Sequence, residues 1–433
     1  MMQLVLICAL AYVCISLGKT ALAFYYINLY ERQYQPMLAR LQSDSDLSTA
    51  ASRQNSIATA TRAYSDPSQV TIVQAILSGD PLLSETLQAN IRSNPHCRFL
   101  WLVDEDDAEG RRITAFIQER ERARLEQQSD GSGGQGKAEL RIVICPPCPN
   151  GTNPKLFKLH FARQFYSTEC LIVLDDDTLL PDRTRQALQA GLSQHALVTG
   201  LPVYRTDGRL ATRLLAQFVN NNAALTYLPL APLLPPISIN GMCYALSQAS
   251  LRALCNFEPL LSHLTDDLAV SDWLKRHGPH AGRIQQLPLV QYIQTSLTGC
   301  KQYRRQMQRW FCFAILLLKK ESFGMQAVIW FLQGLPPILL GVTVIGALLF
   351  AGSHLLWGIW LLGTVLVLRV IWIVSLQLRL DRRIRYRPLL SELSELLQIL
   401  HLQQALFSNV IYWRRRRYLV RANDDFTDLD AAT

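Results

Sequence analysis

The acidic run Asp175-Asp176-Asp177 is the clearest candidate for chemistry in the sequence. It follows the fully apolar stretch 170–174, which has the composition of a buried β-strand. Because side chains alternate along an extended chain, Asp175 and Asp177 project to one side and Asp176 to the other. Two carboxylates on one side can bind Mg²⁺ or Mn²⁺ together with phosphate oxygens. Taken alone, the run is explained equally well as an acidic turn that caps the next helix.

A second acidic cluster, Asp104-Glu105-Asp106-Asp107, follows the predicted strand 97–103. In open α/β sheets, ligands bind outside the carboxyl ends of the strands, and both acidic clusters lie at that edge. The second cluster therefore either receives the base and ribose of a nucleotide or forms a solvated loop. Its presence favours the metal site, because a capping turn at 175–177 needs no acidic cluster at another strand end.

A third acidic pair, Asp266-Asp267, opens the predicted helix that continues as LAVSDWLKRHG. Carboxylates at a helix N-terminus are favoured by the helix dipole, so capping explains the pair. The functional alternative is a general base, Asp267, that takes a proton from an acceptor hydroxyl.

The fourth candidate element is the basic, aromatic segment 302–320. In a helix, Gln306, Arg309 and Trp310 lie on one face, and the apolar residues after them suggest a helix at a membrane surface. A planar guanidinium suits pyrophosphate, and an indole ring can cover a sugar or lipid. A basic interfacial helix with an aromatic anchor explains the same residues, but not their occurrence together with three acidic sites.

The elements that must position these residues follow an alternating pattern. The apolar or β-branched runs that predict strands are 70–76, 97–103, 139–145 and 170–174. The segments with helical periodicity between them are 81–93, 109–127 and 156–168. Strands that alternate with helices predict an α/β fold, in which a mostly parallel sheet has helices on both faces. The stretches 43–68 and 129–136 are predicted to be a linker and a loop.

Composition excludes a disordered chain and fits poorly with a purely cytosolic enzyme. Of 433 residues, 49% are hydrophobic and only 18% are charged, against about 25% charged in soluble domains. The apolar surplus lies in one run near the N-terminus and in two later runs, 327–350 and 355–378, separated by the turn 351–354. Each run is long enough to cross a bilayer, so we predict one N-terminal anchor and one transmembrane hairpin.

Basic residues flank the hairpin at Lys319-Lys320 and at 379–387, which predicts that both of its ends face the cytoplasm. The segment between the anchor and the hairpin, about 31–325, is then expected to face the cytoplasm as well. The net charge is +9. Beside apolar helices, Arg414–Arg417 suits anionic membrane lipids better than nucleic acid. Because both flanks of 389–413 are basic, we expect this polar-interrupted segment to be an amphipathic helix that lies in the cytoplasmic interface, and the protein to have three spans. Arg369, inside the hairpin, is expected to reach the cytoplasmic interface.

The ten cysteines are scattered, and only Cys145-Pro-Pro-Cys148 has motif spacing. This pair continues into a loop, whereas a redox CxxC opens a helix. No second CxxC or suitably spaced His pair completes a zinc site. The sequence therefore favours neither a redox nor a zinc function.

At this point the sequence resembles a known family. Three separated acidic sites followed by a QxxRW box are similar to inverting membrane glycosyltransferases of the GT-A class, of the family 2 type, and within it to the ceramide glucosyltransferases. The supporting motifs, in order from about residue 70 to 420, are Asp104–Asp107, Asn153-Pro154-Lys155, Asp175–Asp177, Gly200-Leu201-Pro202, Asn240-Gly241-Met242, Thr265–Asp267, Gln306–Trp310 and Tyr412–Tyr418.

The resemblance implies roles for individual residues. The nucleotide-sugar contacts would be Asp104, Asp106, Asp107, Lys155, Asp175, Asn240 and Gly241. Asp175 and Asp177 would bind Mg²⁺ or Mn²⁺, and Asp267 would be the base. Gln306, Arg309 and Trp310 would close the site from the membrane side.

The leading hypothesis is transfer of a sugar, glucose from UDP-glucose, to the hydroxyl of ceramide or diacylglycerol with inversion. The alternatives are a processive polysaccharide synthase, which generally needs more than three spans, and a membrane scaffold or transporter subunit without catalysis. The predicted segments are an anchor (1–31), a linker (32–68), a GT-A domain (69–300), an interfacial QxxRW helix (301–325), a transmembrane hairpin (326–378) and a basic amphipathic C-terminal segment (379–433).

Overall fold

The computed structural model describes residues 2–48, 64–129, 139–349, 354–413 and 416–430. Most of the predicted linker, the predicted loop from residue 130 onward, residues 351–353 of the hairpin turn and Arg414-Arg415 lie outside this range. The helix α1 continues to Ser48, beyond the predicted anchor.

The elements before the QxxRW helix alternate as predicted. The strands are β1 (Val70–Ile76), β2 (Arg98–Asp104), β3 (Glu139–Cys145), β4 (Cys170–Leu174), β5 (Thr178–Leu179), β6 (Leu197–Thr206), β7 (Cys243–Ser247) and β8 (Ile284–Thr295). The helices are α1 (Met2–Ser48), α2 (Leu83–Ser93), α3 (Ala108–Ser129), α4 (Pro154–Phe161), α5 (Asp182–Gly191), α6 (Leu210–Tyr227), α7 (Gln248–Ala253) and α8 (Asp266–His277).

The remaining elements carry the box, the membrane hairpin and the C-terminal segment. The helices are α9 (Cys300–Lys320), α10 (Phe323–Ile329), α11 (Leu335–Leu349), α12 (Leu355–Leu380) and α13 (Pro388–Phe407), with a π-helical turn at Trp330–Gly334 between α10 and α11. The strands are β9 (Val410–Trp413), β10 (Arg416–Val420) and β11 (Phe426–Asp428).

The central sheet of the described residues has the strand order β3-β2-β1-β4-β7-β6-β8-β5. β1 is parallel to β2 and β4, β2 is parallel to β3, and β6 is parallel to β8. β7 runs antiparallel to both β4 and β6, and β5 runs antiparallel to β8. The predicted mostly parallel α/β sheet is therefore confirmed, with two antiparallel strands added.

The sheet is covered on both faces because alternate residues of its central strands pack in opposite directions. Ile72 and Ile172 lie in one core with side chains of α2, α3 and α5. The adjacent residues Val73 and Val173 lie in a second core with α4, α7 and α8. Strands buried on both faces are nearly continuous apolar runs, which is the pattern of 170–174. The carboxyl ends of β1, β2 and β4 meet at one edge, and this edge positions the acidic clusters.

Three helical segments of the described residues are long and apolar enough to cross a membrane: Met2–Tyr34, Phe323–Leu349 and Leu355–Leu380. They confirm the predicted anchor and hairpin. α1 packs against α11 and α12 through a cluster that contains Tyr12 and Trp372. The helix α13 is not among these candidates.

The π-helical turn inside the first hairpin span has a local cause. Pro336 has no N–H, so the carbonyl of Leu332 lacks its usual intrahelical donor. The ammonium group of Lys19, buried on α1, donates to that carbonyl at 2.7 Å and to the Gln333 side chain at 3.2 Å. A cation on one span therefore satisfies a backbone group that proline leaves unbonded on another.

Arg369 differs from its expected arrangement. Its side chain is 1% exposed, and it donates to Glu392 at 2.8 Å and to Glu395 at 3.4 Å, both on α13. It does not extend to the interface, because α13 brings two carboxylates to it. This ion pair joins the transmembrane hairpin to the C-terminal segment.

The predicted helix over 389–413 is wrong beyond Phe407. Val410–Trp413 forms β9 of a three-stranded antiparallel sheet with β10 and β11, since β-branched and aromatic residues favour strands. We name β9–β11 the C-terminal sheet. Its residues Ile411, Tyr418 and Val420 pack with Leu264 and with α9. The C-terminal sheet therefore lies against the catalytic domain.

Candidate active site

A cavity of about 1120 Å³ opens at the carboxyl edge of the sheet and extends to the membrane helices. It brings together all of the predicted site residues except Gln306. The residues that line it include Asp104, Asp106, Asp107, Lys155, Asp175, Asp176, Asp177, Asn240, Gly241, Asp266, Asp267, Arg309 and Trp310. Three acidic clusters that are distant in the sequence therefore share one cavity.

Lys155 lies between the acidic run Asp175–Asp177 and the acidic pair Asp266-Asp267. Its buried ammonium group contacts Asp175 at 2.7 Å and Asp266 at 2.8 Å, and it donates to the carbonyl of Gly241 at 2.9 Å. Burial works against the charged form, but the two carboxylates prevail and hold the pKa of Lys155 well above its usual value. Lys155 is therefore a permanent positive charge that joins the two acidic clusters.

The position of Lys155 follows from how α4 begins. The side-chain oxygen of Asn153 accepts hydrogen bonds from the backbone N–H groups of Lys155 and Leu156, which is N-terminal capping, and Pro154 occupies the first helical position. The motif Asn-Pro-Lys thus sets the start of α4, and its third residue points at the cavity.

Asp104 and Asp107 line the part of the cavity nearest β2, and both bind other residues of this chain. Lys158, buried one turn after Lys155, contacts Asp104 at 2.6 Å. Asp107 accepts hydrogen bonds from the N–H and hydroxyl of Ser78 and from the N–H of Gly110. Although burial opposes it, these bonds hold the pKa of Asp107 below its usual value. Asp107 therefore joins the loops after β1 and β2, and Asp104 joins the end of β2 to α4. The exposed Asp106 lies on the rim.

The three aspartates after β4 have separate environments. Asp175 contacts Lys155, Asp176 accepts from the N–H of Leu77 at 2.8 Å, and Asp177 accepts from the Thr178 hydroxyl at 3.0 Å. Burial, followed by the charges of Asp175 and Asp176, raises the pKa of Asp177 well above its usual value. A carboxylate in this situation is stabilised by an added cation.

The residues present fit a divalent ion bound with a diphosphate. The described residues contain no group of three or more His, Cys, Asp or Glu side chains arranged to hold a metal. Mg²⁺ usually binds through only one or two carboxylates together with substrate phosphates and water. Asp175 and Asp177 would supply those carboxylates, in agreement with the charge imbalance at Asp177.

Asp267 lies in the first turn of α8 and accepts a hydrogen bond from the N–H of Leu268 at 2.8 Å. Burial, followed by the charge of Asp266, raises the pKa of Asp267 to about 7. A general base works best when its pKa lies near the operating pH. The environment of Asp267 therefore suits proton abstraction, whereas its neighbour Asp266 is neutralised by Lys155.

Gly241 allows the backbone to approach Asp267 closely. A Cβ atom added at Gly241 would lie 2.9 Å from the Cβ and 3.1 Å from the carboxyl carbon of Asp267. Such a contact forces one of the two groups to move. The next residue back, Asn240, is buried, and its side-chain oxygen accepts from the N–H of Met242 at 3.3 Å.

We expect Gly241→Ala to lower kcat by about 10²-fold, because a displacement of about 1 Å at a reacting group has an effect of that size. The measurement is sugar transfer per donor-binding site. Gly299→Ala is the matched control, since a Cβ there meets nothing within 4 Å. Equal kcat values for Gly241→Ala and the wild type would show that the rate of transfer does not depend on the position of Asp267.

The three QxxRW residues differ in their contacts with the cavity. Arg309 lines the cavity and donates to the Gln306 side chain at 3.0 Å. Trp310 packs edge-on to Tyr204 and stacks with Phe218, at centroid distances of 5.9 and 6.3 Å. Gln306 therefore orients Arg309, and Trp310 forms part of the wall.

The sequence analysis missed Lys158, Ser78 and Asn423. Lys158 follows Lys155 by three residues and so lies on the same side of α4, which was an available signal. Ser78 donates to Asp107, and the side-chain oxygen of Asn423 accepts from the N–H of Thr265 at 2.7 Å. Both contacts join distant segments, so no local pattern indicates them.

The fold and this cavity define a glycosyltransferase of the GT-A class with three candidate membrane spans. Residues 136–426, more than half of the chain, match the family described as glycosyl transferase family 21. The chain belongs to that family. No curated protein matches the sequence significantly.

Solved structures with a similar arrangement are distant in sequence. Residues 1–349 of S. aureus TarS, in complex with UDP-GlcNAc, are 9% identical with a TM-score of 0.35, covering 83% of this chain and 98% of that one. Glucosyl-3-phosphoglycerate synthase from Mycobacterium tuberculosis, in complex with Mn²⁺, UDP-glucose and phosphoglyceric acid, is 13% identical with a TM-score of 0.33, covering 64% and 88%.

Proposed function

We propose that this protein transfers glucose from UDP-glucose to the hydroxyl group of a membrane lipid, ceramide or diacylglycerol, with inversion at the sugar. The observation that carries the proposal is the location of Asp267. A carboxyl group with a pKa raised to about 7 lines the same cavity as the carboxylates suited to a metal diphosphate, and that cavity continues to the membrane helices.

The donor end of the cavity has the charges that a UDP-sugar requires. Asp104, Asp106 and Asp107 line the part nearest β2, where the nucleoside would bind. Asp175 and Asp177 would hold Mg²⁺ or Mn²⁺, which when bound stabilises the charge on the departing diphosphate. Arg309 supplies a second positive charge for the diphosphate. Lys155 keeps Asp175 and Asp266 in place.

The acceptor end is apolar and faces the membrane segments. Its lining residues come from α6 and the loop after it, from α9, from the end of α10 and from the π-helical turn. They include Phe218, Leu234, Phe313, Leu317, Ile329 and Leu332. An apolar wall continuous with transmembrane helices suits the chains of a lipid and supports a lipid acceptor over a soluble one.

The proposed reaction is a single displacement. Asp267 takes the proton of the lipid hydroxyl, whose oxygen attacks the anomeric carbon as the bond to UDP breaks on the opposite side. Arg309, which donates a hydrogen bond to Gln306, would stabilise the charge that develops on the diphosphate. Asn240 and Gly241 would lie beside the sugar, next to the base.

Incubation of the purified protein with labelled UDP-glucose or UDP-galactose, and with ceramide or diacylglycerol, tests the proposal. We expect a single-sugar glycolipid that is extracted into organic solvent, with UDP as the second product. A labelled polymer would support the processive synthase instead. No transfer with any donor and acceptor pair would contradict the proposal.

We expect a chelator to abolish transfer and added Mg²⁺ or Mn²⁺ to restore it, because the carboxylates of Asp175 and Asp177 otherwise repel the diphosphate. The measurement is transfer after EDTA treatment, with metal titrated back. Full activity in excess EDTA would exclude the proposed metal ligands.

We also propose that the catalytic domain faces the cytoplasm. The C-terminal sheet packs beside Leu264, so both must lie on one side of the membrane. In intact cells we expect a membrane-impermeant thiol reagent to spare both the exposed Cys255 and a cysteine introduced by Thr427→Cys, and to label both after permeabilisation. Labelling of both sites in intact cells would show that the catalytic domain faces the outside of the cell.

A further inference from the structure

The turn between β10 and β11 reaches the segment that carries the proposed base. The side-chain oxygen of Asn423 accepts from the N–H of Thr265 at 2.7 Å and from its hydroxyl at 2.6 Å. The carbonyl of Asn423 accepts from the N–H of Leu264 at 2.7 Å. Thr265 immediately precedes Asp266 and Asp267.

The opposite edge of the same segment is held by Asn153. Its side-chain amide donates to the carbonyl of His263 at 3.0 Å and to that of Leu264 at 2.8 Å. The two asparagines thus bind residues 263–265 from two directions, and the chain then enters α8 at Asp266.

Asn423 is a buried polar residue in a largely exposed turn. It is 1% exposed, although both following residues, Asp424 and Asp425, are exposed. A buried amide is tolerated when its hydrogen bonds are made, and Asn423 makes them almost entirely with residues 264–265. Its partners are 158 residues away in the sequence.

We propose that Asn423 is a positioning residue, which holds Thr265 so that Asp267 stays in place beside Gly241 for proton abstraction. This inference rests on the proposed role of Asp267. Because Asn423 itself does not line the cavity, it acts through the backbone of residues 264–265. The C-terminal sheet is therefore part of the catalytic unit, although it follows both spans of the hairpin.

The test compares Asn423→Ala with Asp424→Ala, a neighbouring exposed residue of the same turn. Asn423→Ala should lower kcat by about 10- to 100-fold while the KM for the UDP-sugar stays near that of the wild type. Thr265→Val should also lower kcat, because it removes the hydroxyl bond, and Thr265→Ser should restore it. Asp424→Ala should behave as the wild type. Activity is expressed per site that binds UDP-sugar, so unfolded protein is not counted.

A kcat of Asn423→Ala equal to that of the wild type would overturn the proposal. So would a fall in donor affinity as large as the fall in kcat. Amide hydrogen exchange provides a readout independent of activity: residues 264–268 should exchange faster in Asn423→Ala than in Asp424→Ala. If the wild type transfers no sugar, the proposed function fails, and unchanged exchange would then overturn the positioning role as well.

Discussion

Asp267→Asn should lower kcat by about 10²–10⁴-fold and leave UDP-sugar affinity nearly unchanged. An amide cannot take a proton from a hydroxyl group, whereas the residues proposed to bind the donor lie on other elements of the cavity. The measurement is initial transfer rate against acceptor concentration, with donor affinity determined by calorimetry. Asp272→Asn, on the same helix, is the matched control, because Asp272 forms an ion pair with Lys320 at 3.3 Å and does not line the cavity.

The pH dependence gives a second measurement on the same residue. Because burial and Asp266 raise the pKa of Asp267 to about 7, the basic form is lost as the pH falls below that value. We therefore expect kcat/KM of the wild type to rise with pH through about 7. The residual activity of Asp267→Asn should not show this rise. A loss of nucleotide affinity with little change in turnover would assign Asp267 to donor binding instead.

Lys155→Met should destabilise the protein by about 3–5 kcal/mol, because it leaves the carboxylates of Asp175 and Asp266 without their common partner. It should also abolish transfer, since both acidic clusters lose their positions. The measurement is Tm in detergent, without donor or metal, compared with that of the wild type.

Lys301→Met, at an exposed lysine of α9, is the control for the loss of one positive charge. It should leave Tm and transfer close to the wild-type values. A Tm unchanged in Lys155→Met would mean that Lys155 does not stabilise the acidic clusters.

The parts of the fold that were predicted from sequence are those encoded by neighbouring residues. The apolar run 170–174 is buried on both faces of the sheet, so its composition alone identified a central strand. The three spans were predicted for the same reason, since hydrophobic length is a local property. The acidic clusters were brought together by topology, because parallel strands have their carboxyl ends at one edge.

The parts that were missed depend on pairs of distant residues. Packing between elements determines which residues form ion pairs with Asp104 and with Arg369. The partners lie on other elements, so no sequence spacing reveals the pairing. The end of α13 at Phe407 was missed because Val410–Trp413 continues the apolar pattern of the helix. Its strand conformation comes from pairing with β10.

The hydrogen bonds between Thr265 and Asn423 also determine when the segment that carries Asp267 gains its contacts during synthesis of the protein. The ribosome makes the segment with Asp267 first, then the two hairpin spans, and only afterwards Asn423. In a nascent chain, the segment that carries Asp267 therefore gains these hydrogen bonds only when the hairpin has been made and the C-terminal sheet has folded back onto the domain. A chain that stalls within the hairpin therefore lacks the hydrogen bonds by which Asn423 holds the segment next to Asp267.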